Sequence, residues 1–312
     1  MEPRSAPADA PRASRPLRAR IAALAQSPWP ARVTWLVLPL AAGPALGDAL
    51  AEGVADDRPV QIVASAGAWL VWVAVLVATL VPTTVSLTAL RIAAPAAVLA
   101  SLAALVTVGA TAAAVLGLAA SLVAGLAALA PETAEAFVDG SAYGQERRLP
   151  LRVPAALLAG PAELAWLATV AGVVVGPLAL AAGRWVVGVL ALAAGLPAAW
   201  WGARVLHSLA RRWLVFVPNG VVVHDPLTLS EPVLLPRTIV RPLGPAPAGS
   251  DALDLTGGAS GLALEVRLTE PVTLVPVARG RRPAEMTDVD ALLVTPSRPG
   301  RVLTEARRRR LA

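Results

Sequence analysis

IAAPAAVLASLAALVTVGATAAAVLGLAASLVAGLAALA, residues 92–130, carries no ionisable side chain from end to end. As one continuous helix, rising 1.5 Å per residue, it would run to about 59 Å, nearly twice the roughly 30 Å hydrocarbon core of a bilayer. It therefore reads as two membrane-spanning helices folded back on each other, with the reversal near Gly109-Ala110-Thr111. A soluble domain has no use for such a stretch, because nothing in water would cover it.

Outward from this pair the same pattern recurs. Residues 62–81 form an uninterrupted apolar span, and residues 161–182 and 185–206 form two more, divided by Gly183-Arg184. A first span over about 33–50 is interrupted by Pro39 and Pro44 but prefaced by Trp29 and Trp35, residues that favour the membrane interface. With 92–109 and 111–130 this makes six. The composition agrees: 56% hydrophobic, 15% charged and mean hydropathy +0.64. All 27 basic residues are Arg. Cys is absent, which excludes disulfides, thiolate metal sites and cysteine nucleophiles.

Arginine placement sets the expected orientation. Arg4, Arg12, Arg15, Arg18, Arg20 and Arg32 precede span one, Arg91 follows span two, and Arg147, Arg148 and Arg152 follow span four. Fifteen more lie from Arg204 onward, against ten acidic residues. With six spans, alternation gathers all of these on one side and leaves Arg58 and Arg184 opposite. The positive-inside bias then predicts a cell-membrane protein with both termini cytoplasmic. Residues 1–31, rich in Arg, Pro and Ala, are expected to be a disordered cytoplasmic tail. The membrane domain is expected over 32–208.

Beyond about residue 209 the pattern shortens. Trp213-Leu-Val-Phe-Val and Val221-Val-Val-His flank Pro218-Asn219-Gly220, a strong hairpin signal. Leu262, Leu264, Val266 and Leu268 alternate with polar or small residues as a half-buried strand does. Further strands are predicted at 233–235 with 238–243, 251–255, 272–277 and 291–294, and a helix after Pro299 with Val302, Leu303 and Ala306 on one face. This order, about seven strands closed by a helix, together with the Val217-Pro-Asn-Gly-Val hairpin, resembles the bacterial pleckstrin-homology-like domain. The chain as a whole resembles uncharacterised integral membrane proteins of actinobacteria, a family that carries no activity over. The expected fold is thus an α-helical polytopic membrane bundle followed, over 209–312, by a small β-rich pleckstrin-homology-like domain with a C-terminal helix. That last segment is expected to fold autonomously.

Few residues point to chemistry. Glu163 lies inside a predicted span and is a candidate intramembrane polar group. It also follows Pro161, as a carboxylate in a helix's first turn would. His207 and His224 have no ligand cluster near them in sequence, and no metal or cofactor is expected. Gly258-Ala-Ser-Gly261 lacks the final glycine of a nucleophile elbow and reads as a hairpin turn. Small residues four apart (Gly117, Ser121, Gly125; Ala168, Gly172, Gly176) or seven apart (Gly188, Gly195, Gly202) predict close helix packing. The loop 139–152, with the single Tyr143, is a candidate to dock on the C-terminal domain. Arg307, Arg308, Arg309 and Arg310 end the last helix and are candidate contacts for anionic lipid or a partner.

No catalytic constellation emerges. The expectation is a non-enzymatic membrane scaffold whose cytoplasmic domain binds anionic lipid or a membrane or cytoplasmic protein, with no nucleic-acid partner. The alternative is a subunit of a transporter or channel. It would call for paired intramembrane polar groups or internal repeats.

Overall fold

The structure is a computed structural model, describing residues 27–277 and 285–311. Most of the expected N-terminal tail lies outside these residues. Among the described residues six helices are long and apolar enough to cross a membrane: α1 (Trp29–Gly53), α2 (Arg58–Leu80), α3 (Thr84–Val108), α4 (Ala112–Leu129) and, after short helices α5 (Pro131–Asp139) and α6 (Ala155–Leu158), α7 (Pro161–Ala181) and α8 (Trp185–Ala210). The chain is accordingly a multi-pass membrane protein by its helices. Their outward faces carry exposed Leu, Val and Trp, which water would not tolerate and hydrocarbon does.

Local chemistry explains where the helices start and stop. Asp57 and Thr111 each accept a hydrogen bond from a backbone N–H three residues on, and Thr83 and Ser86 cap reciprocally. The reversal between α3 and α4 falls at Gly109, whose φ of +72° suits a residue without Cβ. Pro39 and Pro44 sit inside α1 without ending it. Pro39 has no N–H to offer the carbonyl of Trp35, and that carbonyl accepts instead from the indole of Trp72 at 2.9 Å. The Trp35 indole in turn donates to the Trp72 carbonyl at 3.0 Å, so two polar groups are satisfied within the bundle.

Beyond α8 come strands β2 (Trp213–Val217), β3 (Gly220–His224), β4 (Val233–Pro236), β5 (Gly244–Pro245), β6 (Leu253–Asp254), β7 (Leu264–Leu274) and β8 (Thr287–Val294), then helix α9 (Pro299–Arg308). The first sheet has the order β1-β2-β3-β4, all antiparallel, and its edge strand β1 is Arg147–Pro150, from the connection between α4 and α7. The second has the order β5-β7-β8-β6, with β6 parallel to β8. The predicted strands at 262–268 and 272–277 are largely one strand, β7, irregular between Arg267 and Val272. Gly258–Gly261 links β6 to β7, which do not pair, so it is a crossing loop rather than a hairpin turn.

The β2–β3 connection is the two residues Pro218-Asn219, and Gly220 opens the returning strand. A Cβ on Gly220 would lie 2.1 Å from the Leu235 carbonyl oxygen, so its glycine is required by the approach of β4.

Leu214, Phe216, Val221 and Val223 face the second sheet, where Leu264, Val266, Leu292 and Val294 meet them and Val302 and Ala306 of α9 close the core. On the opposite face, Trp213 and Val215 pack with Phe137 and Val138 of α5 and Ala210 of α8. β2 is therefore buried on both sides, which is why its sequence is continuously apolar rather than alternating.

Candidate functional site at the bundle–sandwich junction

The loop 139–152 contributes more than a docking surface: it supplies an edge strand. Around it, charged side chains gather at the arginine-rich end of the bundle. Glu135 of α5 is 3% exposed and takes three guanidinium groups: Arg147 at 2.6 Å, Arg298 at 3.0 Å and Arg301 at 3.2 Å. These come from β1 and from the start of α9, so one carboxylate ties the bundle's end to both ends of the sandwich chain. Asp139 accepts from Arg147 and, at 2.8 Å, from the Arg148 backbone N–H. Burial raises its pKa above the usual carboxylate range, opposed by those donors.

A second anchor is wholly buried. Arg212, just past α8, forks onto Asp225 at 2.7 and 2.6 Å, and also donates to the carbonyls of Arg152 and Leu255. Paired and hydrogen-bonded in this way, two charges survive burial as a positioning device.

Beside these anchors lies a cavity of about 230 Å³ between bundle and sandwich. Leu87, Leu129 and Leu209 give it an apolar wall, and Arg91, Arg152, Ser260 and Ser297 a polar one. Arg91 lies two turns inside α3, its Nε donating to the Ala128 carbonyl at 3.3 Å. It had been expected in the connection before the span. The Thr83/Ser86 capping pair starts the helix earlier and carries Arg91 into it. Among the described residues neither Arg91 nor Arg152 has a carboxylate within ion-pair distance. No group of three or more His, Asp or Glu able to hold a metal ion occurs among the described residues.

The other sequence candidates fall elsewhere. Glu163 sits in the first turn of α7 and accepts from the Gly160 N–H at 2.8 Å. Gly172 and Gly195 meet across the α7–α8 hairpin, Gly176 lies against Leu192, and Gly188 against Leu180. Gly117 lies against Ala42 of α1, Ser121 shares a 2.7 Å hydrogen bond with Ser101 of α3, and Gly125 faces Val98 with ordinary clearance. At the end of α9, Arg307, Arg308 and Arg310 are exposed. Arg309 is held by Glu305 at 2.6 Å, by the Gln145 carbonyl at 2.5 Å, and over the Phe216 ring. His207 shares a 3.0 Å hydrogen bond with Thr88, and His224 stacks on Trp213 with ring centroids 4.6 Å apart.

Sequence reading did not single out Glu135, Arg91, Arg152 or the Arg212–Asp225 pair. Each gains its setting only from residues that folding brings alongside it, and nothing in local spacing announces it. Comparisons with protein-family models, with curated proteins and with solved structures find no match to this chain.

Proposed function

We propose that the protein is a non-enzymatic integral membrane interaction protein of the cell membrane, with both termini cytoplasmic. Its bundle carries a pleckstrin-homology-like module that engages anionic lipid or a protein partner. Support for the module's kinship comes from three consecutive antiparallel strands, β2, β3 and β4, a second sheet and a closing C-terminal helix. Two features depart from that pattern: β1 is drawn from between transmembrane helices, and β6 is a parallel edge.

The carrying observation is the end of α9. Arg309 is spent on internal contacts, while Arg307, Arg308 and Arg310 stay exposed on a module fixed to the bundle by β1 and Glu135. A fixed module presents these cations in one orientation, so ordering costs little when an anionic surface binds. Support for the cytoplasmic side comes from the arginines Arg32 and Arg204, which sit over Trp29 and Trp200 at the bundle end bearing the sandwich.

Thr304 is exposed on the same helix. In the full-length protein reconstituted in nanodiscs, a fluorophore at Thr304→Cys is expected to be quenched by a headgroup-tethered quencher. Quenching should be stronger with phosphatidylglycerol than with phosphatidylcholine, should fall with salt, and should be reduced by R307Q/R308Q/R310Q. Quenching indifferent to headgroup, salt and variant would remove lipid from the reading.

A further inference from the structure

We propose that the cavity between bundle and sandwich is a binding site for a net-anionic phosphate group, held by Arg91 and Arg152. The inference rests on the reading of the protein as a membrane interaction protein and adds a second contact to it.

Charge gives the first reason. Arginine stays protonated under all ordinary conditions, and a guanidinium inside a membrane helix is costly unless an anion or a set of acceptors meets it. Arg91 has one backbone acceptor, through Nε, and it lines the cavity. Arg152 adds a second guanidinium, set over Gly261, where a Cβ would come within 3.1 Å of its Nε. Arg212 lines the same wall but is committed to Asp225. Two guanidinium groups without a carboxylate in ion-pair distance match tetrahedral phosphate oxygens, and Ser260 and Ser297 bring hydroxyl-bearing side chains to the same lining.

Shape gives the second. At about 230 Å³ the cavity is smaller than the usual 300–1,000 Å³ of a small-molecule pocket, so it has room for a headgroup and not for a whole lipid. Its apolar wall is made by the membrane helices themselves, so acyl chains attached to that headgroup would continue along the bundle. A free phosphate ion offers the same oxygens without the chains.

The full-length protein in neutral maltoside carries nine Trp and can be melted by intrinsic fluorescence. Dioctanoyl phosphatidylglycerol is expected to raise its melting temperature saturably, while dioctanoyl phosphatidylcholine does not. Arg91→Gln and Arg152→Gln should each move the half-saturating concentration up about tenfold, the ratio for losing one charge-assisted hydrogen bond. Arg237→Gln, at an exposed residue away from the cavity, should leave it unchanged. If inorganic phosphate reproduces the stabilisation at matched ionic strength, the source is free phosphate; if only the lipid does, it is a headgroup. Should Arg91→Gln fail to fold, Arg91→Lys, which keeps charge and loses the fork, serves with Arg152→Gln. An equal response to both lipids, or an unmoved midpoint in folded Arg152→Gln, overturns the site. A midpoint that moves with R307Q/R308Q instead would overturn the cavity assignment while leaving the wider reading standing.

Discussion

Replacing Arg212 with Ala would strand Asp225, whose side chain is fully buried, without its counter-charge. Breaking a buried pair from one side typically costs about 3–5 kcal/mol, far more than the net worth of keeping it. We expect Arg212→Ala to lower the melting temperature steeply, whereas Arg308→Ala, at a side chain 81% exposed, should leave it nearly unchanged. Equal melting of the two variants would contradict the anchor.

His224 makes a pH-dependent case at the same scale. Burial first, and then the nearby Arg211, lowers its pKa below the ordinary 6.5, with Asp225 opposing. Its Nδ1 is buried with no hydrogen-bond partner. Above pH 6.5 both folded and unfolded chains hold it neutral, and its contribution to stability is complete. As pH falls below about 6.5 the unfolded chain takes the proton first, so stability is lost until the folded pKa is passed. Melting followed from pH 7.5 to 5 should show this slope, and His224→Phe should flatten it.

Among the elements, the α7–α8 hairpin depends most on small residues. A Cβ at Gly172 would meet the Gly195 carbonyl oxygen at 2.1 Å, and one at Gly176 would meet Leu192 at 2.5 Å. Helices in lipid gain no hydrophobic force from touching, so close backbone approach is their main source of association. The double variant G172L/G176L is expected to melt well below the parent in detergent and to express poorly; unchanged melting would show these glycines facing lipid. The glycine spacing was legible because helical periodicity projects directly onto a face. β1 was not: Arg147-Arg-Leu-Pro is too short and too charged to read as a strand, and it becomes one only because β2 offers an unpaired edge. For the same reason a segment excised at Arg211 loses its edge strand, the core residues Leu149 and Leu151, and the Arg152 acceptor of Arg212.

On the scale of the whole molecule, arginine asymmetry predicts which way the protein sits. Ala55 lies in the exposed turn between α1 and α2, and Glu270 is exposed on β7, at opposite ends of the bundle by connectivity. The chain has no Cys of its own, so single-cysteine labelling is direct. In intact cells an impermeant thiol reagent is expected to reach Ala55→Cys and not Glu270→Cys. Labelling of Glu270→Cys from outside would reverse the orientation.

What the sequence determined by itself is what bulk hydropathy and helix length control: six spans, the fold-back at Gly109, and the change to short strands after α8. Those properties are sums over neighbouring residues, so they survive without knowledge of any distant contact. The tertiary structure decided the rest. It set the strand borrowed from between the transmembrane helices, the three arginines converging on Glu135, the burial of Arg212 with Asp225, and the two unpaired arginines of the cavity. These join residues from 12 to 166 positions apart, and only chain folding brings such charges close enough for their attraction and desolvation to matter.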